Sequence, residues 1–141
     1  MLARQASKPG SLCSIQRAGA KQMIPATLYR PVGRKEFELI RDSGWQKFPP
    51  RLSHQPIFYP VCNVDYAKQI ARDWNTKDKE NGSVGIVLYW HMTHSYLSQF
   101  EKRIVGAANH QEYWVPAEKL EEFNDNIIGK SIYIEDVYFG D

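Results

Sequence analysis

Cysteine is nearly absent from this chain: its 141 residues hold two, Cys13 and Cys62. That excludes a disulfide framework and a cysteine-based metal cluster, and a reducing compartment, the cytoplasm, fits best. Long apolar runs are also missing. No stretch approaches the roughly 20 apolar residues that a membrane-spanning helix needs, so no membrane partner is expected. Charge of one sign is not concentrated either: a net charge of +2 lacks the dense basic stripe that phosphate-driven binding requires, and gives no strong nucleic-acid signal. Four histidines, His54, His91, His94 and His110, show no metalloprotease spacing, so no metal site is expected. There is no Gly-rich phosphate loop after a strand and no G-x-S-x-G elbow. Cys62, alone in an apolar context, reads more readily as an inert thiol than as a nucleophile.

Aromatic rings are abundant instead. They make up 13% of the chain, with four Trp and eight Tyr, enough to build a core or to stack on a ligand. Hydrophobic residues at 43% and charged ones at 24% are those of a folding globular domain, and the length suits one such domain. Residues 1–23 differ: they carry Arg4, Lys8, Arg17 and Lys21, and the first acid of the chain is Glu36. This stretch is expected to be a disordered or non-native extension, or a targeting leader, with the domain spanning 24–141.

Within 24–141 the hydrophobic pattern alternates in period. Ala26–Arg30 reads as a strand stopped by Pro31, Arg34–Asp42 as a helix with Gly44 as a left-handed stop, and Pro56–Val61 as a second strand. Asn63 caps a helix whose Tyr66, Ile70 and Trp74 recur every four residues beside Ala67 and Ala71. Ser83–Met92 is the longest apolar run and suits a central strand; Thr93 caps a single helical turn. Strands at Arg103–Ala107 and Gln111–Val115, a helix from Pro116 to Asn126 and a last strand, Ser131–Tyr138, complete the pattern. The order lacks regular βαβ alternation, which predicts an α+β fold with a split, largely antiparallel sheet and about three short helices.

Three segments set polar groups beside rings at strand ends. Leu28-Tyr29-Arg30-Pro31 delivers a guanidinium suited to a diphosphate, although on sequence alone a surface arginine is the commoner reading. In Pro56-Ile57-Phe58-Tyr59-Pro60 two adjacent rings must point to opposite faces, so either could stack on a flat ligand or serve the core. In His110-Gln111-Glu112-Tyr113-Trp114, alternation puts His110, Glu112 and Trp114 on one face. A glutamate inside an aromatic strand faces either water or a ligand. A polar-x-Glu pair recurs in enzymes that break glycosidic bonds.

Together the runs LYRPVGRKEFELI, GWQKFPPRL, QPIFYPVCNVDYAKQIARDWN and HQEYWVPAEKLEEFN, with the final IIGKSIYI, resemble a family of small bacterial proteins that carry the label "ADP-ribosylation/crystallin J1". More remotely the layout is similar to the ADP-ribosyltransferase fold. That resemblance implies an NAD-binding protein that cleaves the nicotinamide–ribose bond and passes ADP-ribose to an acceptor of unknown identity. Arg30, beside Tyr29, would hold the diphosphate or ribose; Phe58 and Tyr59 would line the nicotinamide pocket; Glu112 would be the catalytic glutamate. His110 stands where the first residue of an E-x-E motif is usual, and Pro60-Val61 replaces S-T-S. Both departures admit a second implication, a non-catalytic module of the same fold that binds a nucleotide or a protein. The crystallin half of the label implies clustered metal-binding acids, which this chain does not have.

Overall fold

The computed structural model describes residues 24–106 and 110–140. Residues 1–23, expected to form an extension, lie outside the described residues, as does Ala107 at the end of one anticipated strand. Among the described residues the chain is α+β, with two three-stranded antiparallel sheets and four α-helices.

The first sheet is built around the apolar run. Strand β1 (Pro25–Val32) pairs along its whole length with β3 (Val84–Thr93), from Pro25 opposite Thr93 to Val32 opposite Ile86. On the other side of β3 lies β6 (Tyr133–Phe139), with an irregularity in register between Val87 and Leu88. The central place of β3 explains its near-continuous burial, because both faces and both edges are covered. In the second sheet the order is β2 (Ile57–Phe58), β5 (Gln111–Pro116), β4 (Glu101–Ile104). Strand β2 is shorter than the expected Pro56–Val61, since Pro60 has no N–H to donate and regular pairing stops at Phe58.

Val61 joins the two sheets. It bridges Tyr29 of β1 on one side and Glu112 of β5 on the other, exchanging 2.8 Å hydrogen bonds with Tyr29. Otherwise the strands pair within two separate antiparallel sheets, the split that the sequence pattern suggests.

Helix α1 (Arg34–Asp42) ends in a turn with Gly44 at φ 82°, the left-handed stop the sequence predicts. It buries Ile40 against the main core, where Leu28, Phe48, Phe58, Leu88, Trp90 and Phe123 meet. Asn63 caps α2 (Val64–Asp73), its Oδ1 accepting from the Tyr66 N–H at 3.0 Å. Thr93 does the same for α3 (His94–Leu97), accepting from Tyr96 N–H at 3.1 Å. The helix expected from Pro116 begins as a tight 3₁₀ turn, Ala117–Lys119, and continues as α4 (Leu120–Asp125).

Of the two rows that the spacing of α2 offers, the alanine row is the buried one. Ala67 and Ala71 are fully buried, while Trp74 caps the helix end and is 71% exposed. The reason is the closeness of helix and sheet: a Cβ built on Gly85 of β3 would stand 2.8 Å from the Ala71 carbonyl carbon. Only small residues fit such an approach, so the alanine row, with Val61 and Val87, forms the contact, Tyr66 packs beside it half-buried, and Trp74 turns outward.

Candidate functional site

Cross-strand neighbours in a sheet project to the same face, and successive residues to opposite faces. Because Tyr29, Val61 and Glu112 stand side by side, Tyr29 and Glu112 share the face that α2 partly covers. The strand spacing separates their backbones by about 10 Å. Arg103, opposite Glu112 in β4, and Tyr89 and Tyr133, in line with Tyr29, extend the same row.

Glu112 is 9% exposed, one of two polar residues in the buried set. Its Oε2 accepts a hydrogen bond from Trp114 Nε1 at 2.9 Å, as alternation along β5 requires. The indole has two further partners: the Tyr59 ring lies perpendicular to it with centroids 5.6 Å apart, and the Arg103 guanidinium lies 3.9 Å over its ring. Arg103 Nε in turn donates to Glu101 Oε2 at 2.6 Å, so its charge is matched by Glu101. On the other side of Glu112, His110 and Tyr66 of α2 stack nearly parallel, 4.1 Å apart and 8° off.

The carboxylate is felt by its neighbours. Burial pushes the Tyr66 phenol above its ordinary value and Glu112 adds to the rise. Burial likewise raises the Cys62 thiol; Lys102 opposes this and Glu112 reinforces it. A thiol held protonated is a poor nucleophile, which fits an inert Cys62. Tyr29 is raised first by burial, then by Glu135 and Tyr89.

Arg30 is elsewhere. It follows Tyr29 in β1 and projects to the opposite face, where Nε and Nη2 grip both Glu36 oxygens at 2.6 and 3.0 Å. Its guanidinium lies 4.6 Å over the Phe58 ring, and Arg51 approaches the same ring at 5.8 Å. Burial, then the charge of Arg30, lowers the Arg51 pKa. Phe58 is closed inside the core between Phe48 and Phe123. Of the six residues singled out from sequence, Tyr29, Tyr59, His110 and Glu112 therefore share one face; Arg30 and Phe58 lie on the other.

Tyr66, Trp114 and Arg103 complete the surroundings of Glu112. Alternation along β5 marks Trp114 in advance. No local pattern marks Tyr66, whose helical spacing leaves its face open, or Arg103, whose place follows from β4–β5 register.

A groove of about 730 Å³ runs between α1, the 47–51 bend and α4, floored by Phe48, Pro49 and Leu120. None of the six residues lines it. Among the described residues no group of three or more His, Cys, Asp or Glu could hold a metal ion, and no helix is long and apolar enough to cross a membrane. Comparison of the chain with protein-family models, with curated proteins and with solved structures gives no match.

Proposed function

We propose that this chain is a binding module with an ADP-ribosyltransferase-like layout, which holds a nucleoside-type ligand, NAD foremost, over Glu112 without cleaving it. The observation that carries the reading is the shared face of Glu112, Tyr59, His110, Tyr66 and Trp114. A carboxylate accepts from ribose hydroxyls, and the surrounding rings offer flat surfaces to a base. The split antiparallel sheet, jointed at Val61, supports the layout.

The position of Arg30 supports binding without turnover. Cleavage of a dinucleotide needs the sugar and its diphosphate fixed together, and the β1 guanidinium is engaged with Glu36 on the opposite face. A second reading, cleavage of the nicotinamide–ribose bond with transfer of ADP-ribose, is favoured by one observation, that Tyr59 and Glu112 lie on the same face. Its mechanism would place the Glu112 charge against the positive charge that develops on the sugar.

Titration with NAD, followed by chromatography for free nicotinamide, separates the two. The binding reading expects saturable binding that is lost in Glu112→Ala, with no nicotinamide released above the buffer rate. Enzyme-dependent release that vanishes in the same variant would establish the second reading, and no binding at all would overturn both.

A further inference from the structure

We infer that the groove between α1, the 47–51 bend and α4 binds a short peptide with free termini, an apolar side chain on its floor and one terminus at each wall. The inference is independent of the Glu112 face, since none of the residues named there lines the groove. Its volume of about 730 Å³ lies in the range of small-ligand sites, roughly 300–1,000 Å³. Phe48 and Leu120 give an apolar floor, and Pro49 and Pro50 beside them have no N–H to satisfy. On the α1 wall Leu39 is 55% exposed, an apolar side chain that the fold leaves uncovered.

The polar lining decides the chemistry of the ligand. The Asn124 amide is taken up by the Phe48 N–H and carbonyl, the Ser43 hydroxyl by the Ile40 carbonyl, and Asp125 by Lys130. Four charged groups remain: Lys47 and Arg51 from the bend, and Glu118 and Glu121 from the turn and helix across the groove. Among the described residues none of the four forms an ion pair, with one another or with any other side chain. Arg51 is nevertheless anchored, its Nε donating to the Ile57 carbonyl at 3.1 Å. Cations on one side and carboxylates on the other thus stand unmatched across an apolar floor. A ligand of one charge sign is repelled by one wall: a phosphate by the glutamates, a polyamine by the bend. A peptide that carries its own ammonium and carboxylate complements both, and three extended residues span about 10 Å.

Calorimetric titration of the full chain with trileucine tests this, alongside trileucine acetylated at its amine, amidated at its carboxyl, or blocked at both. Trileucine should bind saturably with a Kd at or below about 1 mM, and each block should weaken it about threefold to tenfold, the scale of a half-exposed charge-assisted contact. In the wild-type chain, ligand-induced NMR shifts should centre on residues 47–51 and 117–125. Glu118→Gln combined with Glu121→Gln should bring trileucine and its acetylated form to within about twofold of each other, while the preference for the free carboxyl persists. Lys47→Glu should do the converse. All three positions are exposed, and circular dichroism checks the fold. Absence of saturable binding, or shifts centred on β5, would overturn the inference, as would unchanged preferences in both variants. Equal binding of the doubly blocked peptide would also overturn it and assign the groove to an internal segment of a partner protein.

Discussion

Replacing Gly85 by alanine tests the contact that seats α2 on the sheet and with it the position of Tyr66. The new Cβ would stand 2.8 Å from both the carbonyl carbon and the Cα of Ala71, and closer still to the Ala71 carbonyl oxygen. Those atoms are helix backbone, so no side chain can rotate away; the helix must retreat by several tenths of an ångström. Overpacking of this kind costs about 1–3 kcal/mol, and rigid backbone on both sides argues for the upper half. Alanine also restricts the unfolded chain, which returns about 0.4–1 kcal/mol. The net loss is about 2 kcal/mol, or roughly 8 °C in Tm at about 4 °C per kcal/mol for a domain of this size. Urea denaturation followed by circular dichroism reads it as a lower midpoint with an unchanged slope. Adding Ala71→Gly should bring no rescue, because the obstructing atoms are backbone. A Gly85→Ala chain as stable as the parent would refute the close-approach reasoning, and with it the account of why Trp74 is exposed.

Two further outcomes follow from buried and half-buried polar contacts. Asn124 is 7% exposed and its amide both accepts from the Phe48 N–H at 2.9 Å and donates to the Phe48 carbonyl at 3.0 Å. Asn124→Leu leaves two buried backbone groups unpaired and should cost about 2–5 kcal/mol by urea denaturation; a loss under 1 kcal/mol would show that water replaces the amide. Burial, and then a 2.9 Å hydrogen bond to Glu122, hold the Tyr96 phenol well above its ordinary pKa. A raised folded-state pKa means the unfolded chain releases this proton first, so the stability it contributes is present below the ordinary tyrosine value of 10.0 and is lost as pH rises beyond it. Tyr96→Phe should flatten the stability–pH curve above that value, measured by thermal melts across the alkaline range; an unchanged slope would count against the assignment.

Much of the architecture is legible in local pattern. Capping by Asn63 and Thr93, the stop at Gly44, and the central place of Val84–Thr93 follow from residue chemistry that acts over a few positions. Alternation along Gln111–Pro116 also puts Glu112 and Trp114 on one face, which their hydrogen bond matches. The face of α2 was not legible. Its spacing allows either the tyrosine–isoleucine–tryptophan row or the alanine row to be buried, and the choice falls to Gly85, a residue distant in sequence.

The candidate site divides along the same line. The residue types and their alternation within one strand were determined by the sequence, because a strand's geometry is fixed at the scale of two residues. Whether groups on different strands face each other depends on register across the Val61 joint, which puts Tyr29 in line with Glu112 and turns Arg30 to Glu36. A shift by one residue would exchange those two faces, and only the tertiary structure, through the burial of Leu28, Val32 and Phe58 on one side and Ala67 and Ala71 on the other, holds that register in place.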